Sequence, residues 1–468
     1  YDISACLVGS EMCIRDSYIT MSYRGLCPSS NSNDYFQYWK MLSLMATTLY
    51  SGYHRQHHRD FYVDEPGLES LKSKAQKEQS IIFDYIEKNL TPNPDKMVKL
   101  IMDDVVIIGG GIIGTATAYF LSKEGRKVKV IERDPTYKIA SFPLSLGGFR
   151  RQFFQKENIL LGKFAREFIF NLPIHLKTKK NPNPTASMVP NGYLLMFGPD
   201  KAEEQYKALE NHKECNAGTK NIKGSELKNI FPYINNEGIE TATYTDNETE
   251  GWIDPFLFHG ALKSKAEELG AKFIKGEVKS LSEINAKTIV SAAGCWTKEL
   301  LDDIPVVPQK HTVFKVKCPK YIKEMPLTGD LTSGVYWRPE GGEYLAGSPI
   351  STFDAKDLEP DWSHYEELVW PALAKRVPIF EELKLTGAWA GYYDCNKLDN
   401  NAVVGKHPKY ENVYMASGFT GRGLMQAPGI GRALTELITT GKYQTIDISV
   451  FDVERVLNST ARPEPYVL

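Results

Sequence analysis

Residues 103–132 read DDVVIIGGGIIGTATAYFLSKEGRKVKVIE, and this stretch decides the fold. A short apolar run leads into a glycine-rich turn, an amphipathic segment follows, and a second apolar run begins at Val128. Gly109, Gly111 and Gly114 have the G-x-G-x-x-G spacing. In this spacing the glycines allow a tight turn, close approach of the backbone to a pyrophosphate, and close packing of a helix on a strand. The stretch therefore predicts a Rossmann-like unit that binds a dinucleotide.

The residues after the turn indicate which dinucleotide the unit suits. The helix is expected to begin near Ile112, so that its N-terminal amides point at the pyrophosphate, and Gly125 is expected to end it. Glu132 ends the second strand. Its sequence separation from the glycines is about that at which an acidic residue accepts hydrogen bonds from the adenosine ribose hydroxyls. Its carboxylate would repel the additional phosphate of NADP, so the sequence disfavours that cofactor. A glycine turn without a ligand is the alternative interpretation.

Length and composition limit the class of protein. The chain has 468 residues, which predicts two domains or one large composite, and 42% of the residues are hydrophobic, which is ample for a core. A net charge of -2 gives no general attraction to nucleic acid or to a membrane surface. No uninterrupted apolar run is long enough to span a bilayer, so no transmembrane segment is expected. The seven cysteines are scattered without metal-ligand spacing, so we expect reduced thiols and no metal site.

The N-terminal region is not expected to belong to the folded domains. Residues 1–17 resemble a translated adapter sequence and are interpreted as an artefact, with a genuine disordered extension as the alternative. Residues 41–100 are predicted to be a presequence followed by a linker. The segment from Met41 is basic, rich in hydroxyl groups and without an acidic residue until Asp60, as in mitochondrial presequences. A solvated tail fits this composition equally well.

The rest of the chain shows two different strand patterns. Residues 251–305 contain a helix that Asp254 and Pro255 are expected to begin, and two short strands follow, which suits a return to the first domain. Residues 306–350 hold alternating apolar runs that predict an antiparallel sheet. Residues 411–441 predict a strand, a glycine turn and a helix. This is a second place where helix N-terminal amides can meet the polar edge of a ligand.

Several phrases of the sequence together resemble the D-amino acid oxidase family of flavoproteins, to which sarcosine and dimethylglycine dehydrogenases also belong. Besides the opening stretch they are ERDPTYKIAS (132–141), GGFRRQF (147–153), EGWIDP (250–255), SAAGCW (291–296), WPALAKRVPIFE (370–381), AWAGYYD (388–394) and GFTGRGLMQAPGIG (418–431). Such an ordered set is far more specific than any one motif. The resemblance covers residues 103–452 and implies an α/β plus α+β fold: a discontinuous, Rossmann-like FAD-binding domain and a substrate domain built on an antiparallel sheet.

The resemblance also implies domain boundaries. The FAD-binding domain is expected to comprise residues 103–189, 251–305 and 386–452. The substrate domain is expected to comprise residues 190–250 and 306–385. Each domain is thus assembled from segments that are distant in the sequence.

The family's cofactor contacts can be carried over by position. The glycine turn and the acid are implied to hold the ADP half of FAD, and the C-terminal glycines are implied to face the isoalloxazine, whose N1 and C2 carbonyl gain negative charge on reduction. The implied cofactor-binding residues are Gly109, Gly111, Gly114, Glu132, Arg133, Ser141, Gly147, Gly148, Val278, Gly294, Trp296, Gly391, Gly418, Gly421, Gly423 and Leu424.

The chain departs from the family pattern at positions that attach the flavin and bind the substrate. Leu144 and the pair Gly391–Tyr392 stand where covalent members carry the histidine or cysteine that bonds to flavin, so the resemblance implies non-covalent FAD. Sarcosine oxidases use one lysine to promote reaction with oxygen and another to hold the substrate carboxylate. Leu345 and Met425 stand at these places, which argues against an efficient oxidase and puts an amino-acid-like substrate in question.

Three residues are implied as catalytic: Arg150, Tyr392 and Arg422. Arg150 matches the carboxylate-binding arginine of the family, although a solvated surface position is its alternative. Arg422 stands where relatives often carry histidine, and it either binds an anion or simply replaces that residue. Tyr392, Tyr393 and His311 are candidate bases, with ordinary packing as the alternative for each.

The resemblance implies a mitochondrial dehydrogenase, in the matrix or on the matrix face of the inner membrane, that oxidises an amine or amino-acid-like C–N bond of an unknown small molecule. The alternative that it implies is a flavin-containing factor for the assembly of respiratory complex I, with weak or no turnover and with complex I subunits or assembly intermediates as partners. A nicotinamide dehydrogenase fits the first motif but not the C-terminal glycine turn. No nucleic-acid partner is expected.

Overall fold

Two large β-sheets organise the chain, which the computed structural model describes over residues 103–245 and 249–466. The proposed adapter segment 1–17 and the proposed presequence and linker 41–100 lie outside the described residues. The strands in chain order are β1 (Asp103–Ile108), β2 (Val128–Glu132), β3 (Gly148–Phe149), β4 (Tyr193–Phe197), β5 (Lys220–Lys223), β6 (Thr241–Thr245), β7 (Gly251–Trp252), β8 (Lys272–Lys275), β9 (Ala286–Ser291), β10 (Val306–Lys317), β11 (Leu327–Asp330), β12 (Val335–Glu340), β13 (Glu343–Phe353), β14 (Lys384–Asn396), β15 (Val403–Lys406) and β16 (Val413–Ser417). The α-helices are α1 (Ile112–Lys123), α2 (Lys156–Phe170), α3 (Leu172–Leu176), α4 (Ala202–Glu214), α5 (Leu227–Ile230), α6 (Pro255–Glu268), α7 (Trp370–Arg376), α8 (Gly423–Thr440) and α9 (Val453–Leu457).

The first sheet has six strands in the spatial order β15-β16-β9-β1-β2-β8. The pairs β16–β9, β9–β1, β1–β2 and β2–β8 are parallel, and only the edge pair β15–β16 is antiparallel. Helices α6 and α8 both pack against α1 beside this sheet. The strands from residues 103–132, 272–291 and 403–417 therefore meet in one sheet, although they are far apart in sequence.

The opening unit folds as its sequence predicts. Helix α1 begins at Ile112, and its residues through Ser122 are buried because α6 and α8 cover it. Gly125 follows the helix with a φ of 77°, a left-handed conformation that glycine adopts without steric cost. The predicted start of α6 is also confirmed: Pro255 is its first residue, and Oδ1 of Asp254 accepts a hydrogen bond of 2.9 Å from the amide of Leu257.

The second sheet has eight strands in the order β14-β10-β13-β12-β11-β4-β6-β5. All of its neighbours are antiparallel except β4 and β11, which run parallel. The antiparallel sheet predicted for residues 306–350 is thereby confirmed. The short antiparallel pair β3–β7 stands apart from both large sheets, and Arg150 directly follows β3.

Strand β14 corrects one expected boundary. Residues 386–452 were expected in the FAD-binding domain, whereas β14 pairs with β10 from Lys384 opposite Lys317 to Asn396 opposite Val306. Residues 386–396 thus lie in the eight-stranded sheet, and the chain enters the six-stranded sheet only at β15. The long alternating run of β10 provides the hydrogen-bonding edge that captures this segment. The other domain boundaries stay predictions.

Three chemical features concern the residues that the structure describes. Cys215, Cys295, Cys318 and Cys395 are buried free thiols. No helix among these residues combines the length and the apolar character that crossing a membrane requires. No group of His, Cys, Asp and Glu side chains among them is arranged to hold a metal ion.

Candidate functional site

An open cleft of about 170 Å³ lies at the C-terminal ends of the parallel strands of the six-stranded sheet. Its walls come from the glycine turn after β1, the end of β2, the loop after β9 and the first turn of α8. Ligands of open parallel sheets bind at this edge, where the strand order changes direction. The cleft is therefore the candidate cofactor site.

The glycine turn requires its glycines for two different reasons. Gly109 has a φ of 100°, and a Cβ atom there would stand 2.4 Å from the carbonyl oxygen of Ala292. A Cβ atom on Gly114 would stand 1.9 Å from the carbonyl oxygen of Gly109, so this residue permits the helix to pack on the turn. A Cβ atom on Gly111 would meet nothing within 4 Å. Gly111 thus leaves the backbone open toward the cleft, as the approach of a pyrophosphate requires.

The carboxylate of Glu132 is fixed by the backbone around it. Its Oε2 accepts a hydrogen bond of 2.7 Å from the amide of Gly110, and its Oε1 accepts one of 2.8 Å from the amide of Asp134. Both contacts hold the carboxylate at the wall of the cleft. This placement agrees with the predicted role of Glu132 toward the ribose hydroxyls.

His259 supports the glycine turn from behind and was missed from the sequence. Its Nε2 donates a hydrogen bond of 2.8 Å to the carbonyl oxygen of Gly110 and lies 3.0 Å from Oγ1 of Thr115. Its ring stacks on Phe142 at a centroid distance of 4.5 Å. Burial lowers the pKa of His259 to about 4, so the imidazole is neutral at physiological pH. No sequence motif marks this position, because the contact joins residues far apart in the chain.

A cation at the wall of the cleft fits an anionic ligand. The guanidinium of Arg133 lies 3.9 Å from the ring centroid of Trp296, and both residues line the cleft. Nη2 of Arg133 is buried and has no hydrogen-bond partner among residues 103–245 and 249–466. Gly294, with a φ of 57°, would direct a Cβ atom into open space beside them. The orphaned guanidinium nitrogen and the open backbone fit the pyrophosphate of FAD.

The other end of the cleft is formed by the start of α8 and by β14. Gly421, Gly423 and Leu424 line it together with Tyr393 and Asp394. Burial raises the pKa of Asp394 to about 6, although its Oδ2 accepts a hydrogen bond of 2.8 Å from the amide of Gly418. None of the described residues that line the cleft is a cysteine or a histidine. The positive end of α8 suits a group that gains negative charge, as the isoalloxazine does on reduction.

A second, smaller cavity of about 60 Å³ adjoins this end of the cleft. Ser145, Tyr393, Gly421 and Leu424 line both spaces. Tyrosines from the eight-stranded sheet and arginines from the cofactor side form its polar wall: Tyr193, Tyr336, Tyr393, Arg150 and Arg422. The small cavity therefore lies between the two sheets and next to the position expected for the isoalloxazine, which makes it the candidate substrate chamber.

The two arginines of the chamber are held in different ways. Arg150 donates hydrogen bonds to the backbone carbonyls of Gln152 and Tyr466, and its guanidinium lies 4.1 Å from the ring centroid of Phe153. Arg422 donates through Nη2 to the carbonyl of Asn400, whereas its Nε and Nη1 have no partner among the described residues. Burial lowers the pKa of Arg422 to about 10, so it remains charged near neutral pH.

The structure brings most of the predicted site residues together. Those that line the cleft are Gly109, Gly111, Glu132, Arg133, Ser141, Val278, Gly294, Trp296, Gly421, Gly423 and Leu424. Those that line the chamber are Gly147, Gly148, Arg150, Gly421, Arg422 and Leu424. Those that line neither space are Gly114, Gly391, Gly418 and Tyr392. A Cβ atom on Gly391 would stand 2.9 Å from Cβ of Leu144, and one on Gly418 would stand 3.0 Å from Cγ2 of Val306, so both glycines serve close packing.

Tyr392, which the sequence suggested as a catalytic residue, lines neither cavity. Its hydroxyl donates a hydrogen bond of 3.0 Å to the carbonyl of Asp357, and its ring packs edge-on against Trp296 at a centroid distance of 6.2 Å. Tyr393, one residue later in β14, lines both the cleft and the chamber. Successive side chains of a strand point to opposite faces, so only one member of this pair can reach the site. The sequence indicates that the two tyrosines point to opposite faces of the strand. It does not indicate which face of β14 is directed at the cofactor.

Comparison with known proteins identifies relatives of most of the described region. Residues 104–437 match the family model described as DAO, FAD dependent oxidoreductase. The chain is 36% identical over 407 residues to FAD-dependent oxidoreductase domain-containing protein 1 of Bos taurus, covering 74% of this chain and 83% of that protein. It is 26% identical over 387 residues to monomeric sarcosine oxidase of Bacillus sp., covering 75% of this chain and 96% of that protein. The crystal structure of L-proline dehydrogenase from P. horikoshii matches with a TM-score of 0.68 and 26% identity, covering 77% of this chain and 99% of that one.

Proposed function

The chain belongs to the DAO family of FAD-dependent oxidoreductases, and from this premise we propose that it oxidises a C–N bond of an amine or amino-acid-like substrate. The observation that carries the proposal is the chamber with two arginines, which opens onto the isoalloxazine end of the FAD cleft. A small anionic molecule held there lies beside the group that accepts its electrons. Sarcosine oxidase and proline dehydrogenase, both similar to this chain, are named for substrates that are amino acids.

The residues of the cleft divide the binding of FAD among them. Glu132 accepts hydrogen bonds from the ribose hydroxyls, while the amides of the glycine turn and Arg133 donate hydrogen bonds to the pyrophosphate. Bound in the cleft, FAD would supply the acceptor for a hydride from the substrate carbon, and a neutral amine that gives up this hydride would become an iminium ion. The amides at the start of α8 stabilise the negative charge that develops at that end of the cleft.

The residues of the chamber orient the substrate and exclude water. Arg150 binds the carboxylate, and Leu424 and Met425 provide an apolar surface for the carbon chain. Burial raises the pKa of Tyr393, so its hydroxyl remains protonated and can only donate or accept a hydrogen bond at neutral pH. None of the described residues that line the chamber is Asp, Glu, His or Lys. The substrate amine therefore reacts as the neutral free base, which loses its proton to water before it binds.

The experiment that tests this function is anaerobic reduction of the bound flavin. Substrates in the panel are N-methyl amino acids and the D- and L-amino acids. Bleaching by any of them supports the proposal. Arg150→Met should make the substrate at least about tenfold less effective in reducing the flavin. Arg126→Met is the control, because Arg126 pairs with Asp104 far from the chamber, and it should leave the reduction unchanged. A flavoprotein that no amine in the panel bleaches speaks against amine oxidation.

We further propose that the electrons leave to a carrier rather than to oxygen. Leu345 is buried against Leu146, Val313 and Tyr336, and its side chain carries no positive charge to promote reaction with oxygen. Substrate-reduced protein should reoxidise rapidly with an artificial electron acceptor and slowly in air. Rapid reoxidation in air would instead indicate an oxidase.

A second candidate function is a flavin-containing factor for the assembly of respiratory complex I. It is favoured by one combination: Leu345 and Met425 replace the two lysines that sarcosine oxidases use, while the FAD cleft is complete. Co-purification with complex I intermediates, together with absent amine turnover, would support it. In a knockout cell line, wild-type chain should then restore complex I, and comparison with Glu132→Ala would show whether the flavin is needed.

We also propose that the protein acts in mitochondria. The composition of the segment that begins at Met41 supports this location, and that segment lies outside the described residues. Import into isolated mitochondria should require residues 41–100. Equal import of a chain without them would contradict the proposal.

A further inference from the structure

Two buried guanidiniums share the substrate chamber. Arg150 and Arg422 both line it, and each is only 3% exposed to solvent. No described residue that lines the chamber is Asp or Glu. Acidic groups lie behind the arginines: Glu464, Asp394 and Asp399 act on Arg422 through space, but none of them lines the chamber. A ligand in the chamber therefore faces two positive charges and no negative one.

Arg422 has hydrogen-bond donors to spare. Its Nη2 is engaged by the carbonyl of Asn400 and, at 3.3 Å, by Oδ1 of Asn401. Its Nε and Nη1 are buried and have no partner in the described part of the chain. An ionised group without partners is costly to bury, so an anion that binds these donors recovers free energy. The side chain is thus prepared for a charged ligand.

Arg150 does not share this feature. Its two terminal nitrogens donate to the backbone carbonyls of Gln152 and Tyr466, which fixes its position. Arg150 follows β3, whereas Arg422 precedes α8, so the two cations reach the chamber from different elements. The positive charge of Arg150 also opposes that of Arg422 and contributes to lowering its pKa. One carboxylate balances only one of the two charges.

We propose that the substrate of the oxidation proposed above is an amine with two anionic groups, a dicarboxylate, whose first carboxylate binds Arg150 and whose second binds Arg422. This inference rests on the proposed function, because it names the substrate class of the same site. The apolar wall of the chamber, formed by Leu146, Leu327 and Met425, accommodates the carbon chain between the two groups. The small size of the chamber favours a chain of a few carbons.

Binding of unreactive acids to the flavoprotein provides the first test. Succinate and butyrate have the same chain length and differ in the second carboxylate, and each is titrated against the flavin absorption spectrum of the intact holoprotein. We expect succinate to bind at least tenfold more tightly than butyrate. Equal dissociation constants would overturn the inference.

Variants of Arg422 provide the second test. Arg422→Met keeps the length of the side chain and removes the charge, so the succinate-to-butyrate affinity ratio should fall by about ten- to a hundredfold. Arg422→Lys should retain part of the ratio. The matched control is Arg432→Met on the same helix, whose guanidinium pairs with Glu436 and Glu124 outside the chamber. If Arg422→Met does not fold, the wild-type titration and the lysine variant still decide. Equal wild-type affinities would reject the idea, and so would a ratio that the lysine variant leaves unchanged.

Anaerobic reduction separates this inference from the proposed function. The compared substrates are N-methylaspartate and N-methylalanine, which differ in the second carboxylate. If both reduce the flavin equally well, amine oxidation stands and the dicarboxylate inference is wrong. If neither reduces it while succinate selectivity persists and depends on Arg422, the second anion site stands and the proposed oxidation is wrong.

Discussion

The carboxylate of Glu132 and the amide of Gly110 are joined by a hydrogen bond of 2.7 Å, which ties the end of β2 to the glycine turn after β1. The acid and the turn are separated by 22 residues in the sequence, and they form one surface of the FAD cleft. The sites proposed for the ribose and for the pyrophosphate are thus built together, because the carboxylate proposed for the first also positions the backbone of the second.

Loss of this carboxylate should weaken FAD binding. We expect Glu132→Ala to raise the dissociation constant of FAD by about ten- to a hundredfold, since a hydrogen bond to a charged group contributes about 1.5–3 kcal/mol. Titration of the flavin-free protein, followed by quenching of FAD fluorescence, measures this change. Glu203→Gln, on the exposed face of α4, is the control and should bind FAD normally. An unaltered affinity in Glu132→Ala would mean that the acid does not contact the cofactor.

Substitution by alanine should affect stability at one glycine of the G-x-G-x-x-G motif and FAD affinity at another. A Cβ atom on Gly114 collides with the carbonyl of Gly109, so Gly114→Ala should lower the stability of the flavin-free protein by several kcal/mol. A Cβ atom on Gly111 meets no protein atom within 4 Å, so Gly111→Ala should fold normally and lose FAD affinity. Chemical denaturation and FAD titration of both variants measure the two effects. Equal loss of stability in both would show that Gly111 also serves packing.

The flavin should not be covalently attached. No cysteine or histidine is present among the described residues that line the cleft, and Cys395 lies in β14 with its Sγ 3.9 Å from Oδ1 of Asn400. Acid precipitation of the purified protein should therefore release a yellow supernatant and leave a colourless pellet. A yellow pellet would indicate a covalent bond from another residue, and mass spectrometry of its peptides would locate it.

The C-terminal segment should stabilise the start of α2. Glu464 is fully buried and accepts hydrogen bonds from the amides of Phe154 at 3.0 Å and Gln155 at 3.1 Å. Glu464→Gln removes the charge and directs an amide group at these donors, so we expect a loss of about 1.5–3 kcal/mol of unfolding free energy. Chemical denaturation measures it, with exposed Glu203→Gln as the control. Unchanged stability would show that these amides find other partners.

Asp394 should make stability depend on pH. Burial raises its pKa from 3.8 to about 6, so between these values the folded protein binds more protons at this site than the unfolded protein. Stability must then fall as the pH rises through this interval. The measured quantity is the unfolding free energy of the wild type minus that of Asp394→Asn, at equal flavin content. This difference should fall from about pH 4 to about pH 6 and stay constant above about pH 6. A difference that does not vary with pH would mean that the pKa of Asp394 is the same in the folded and the unfolded protein.

Local sequence patterns were sufficient for the elements that bind the ADP half. Gly109, Gly111, Gly114 and Glu132 all lie in one strand–turn–helix–strand unit. Backbone sterics and hydrogen bonding nearly fix the geometry of this unit. The start of α6 at Asp254 and the end of α1 before Gly125 follow from capping rules that act within a few residues.

The same patterns failed where distant segments meet. The strand that carries AWAGYYD was expected in the FAD-binding domain, but its partner is β10, and this pairing determines that Tyr393 faces the site while Tyr392 does not. The support of Gly110 by His259 joins residues 149 positions apart and leaves no local signal. Contacts of this kind depend on which faces are buried together, which propensity and spacing do not encode.

The sequence by itself determined the cofactor unit, because a glycine turn between a strand and a helix admits few backbone conformations and few ligands. Only the tertiary structure decided the chamber. Arg150, Tyr336 and Arg422 come from three separate elements, and they become neighbours because the eight-stranded sheet packs beside the start of α8. Two positive charges are held close together there by burial and by backbone carbonyls, a relationship that arises from the packing of both sheets.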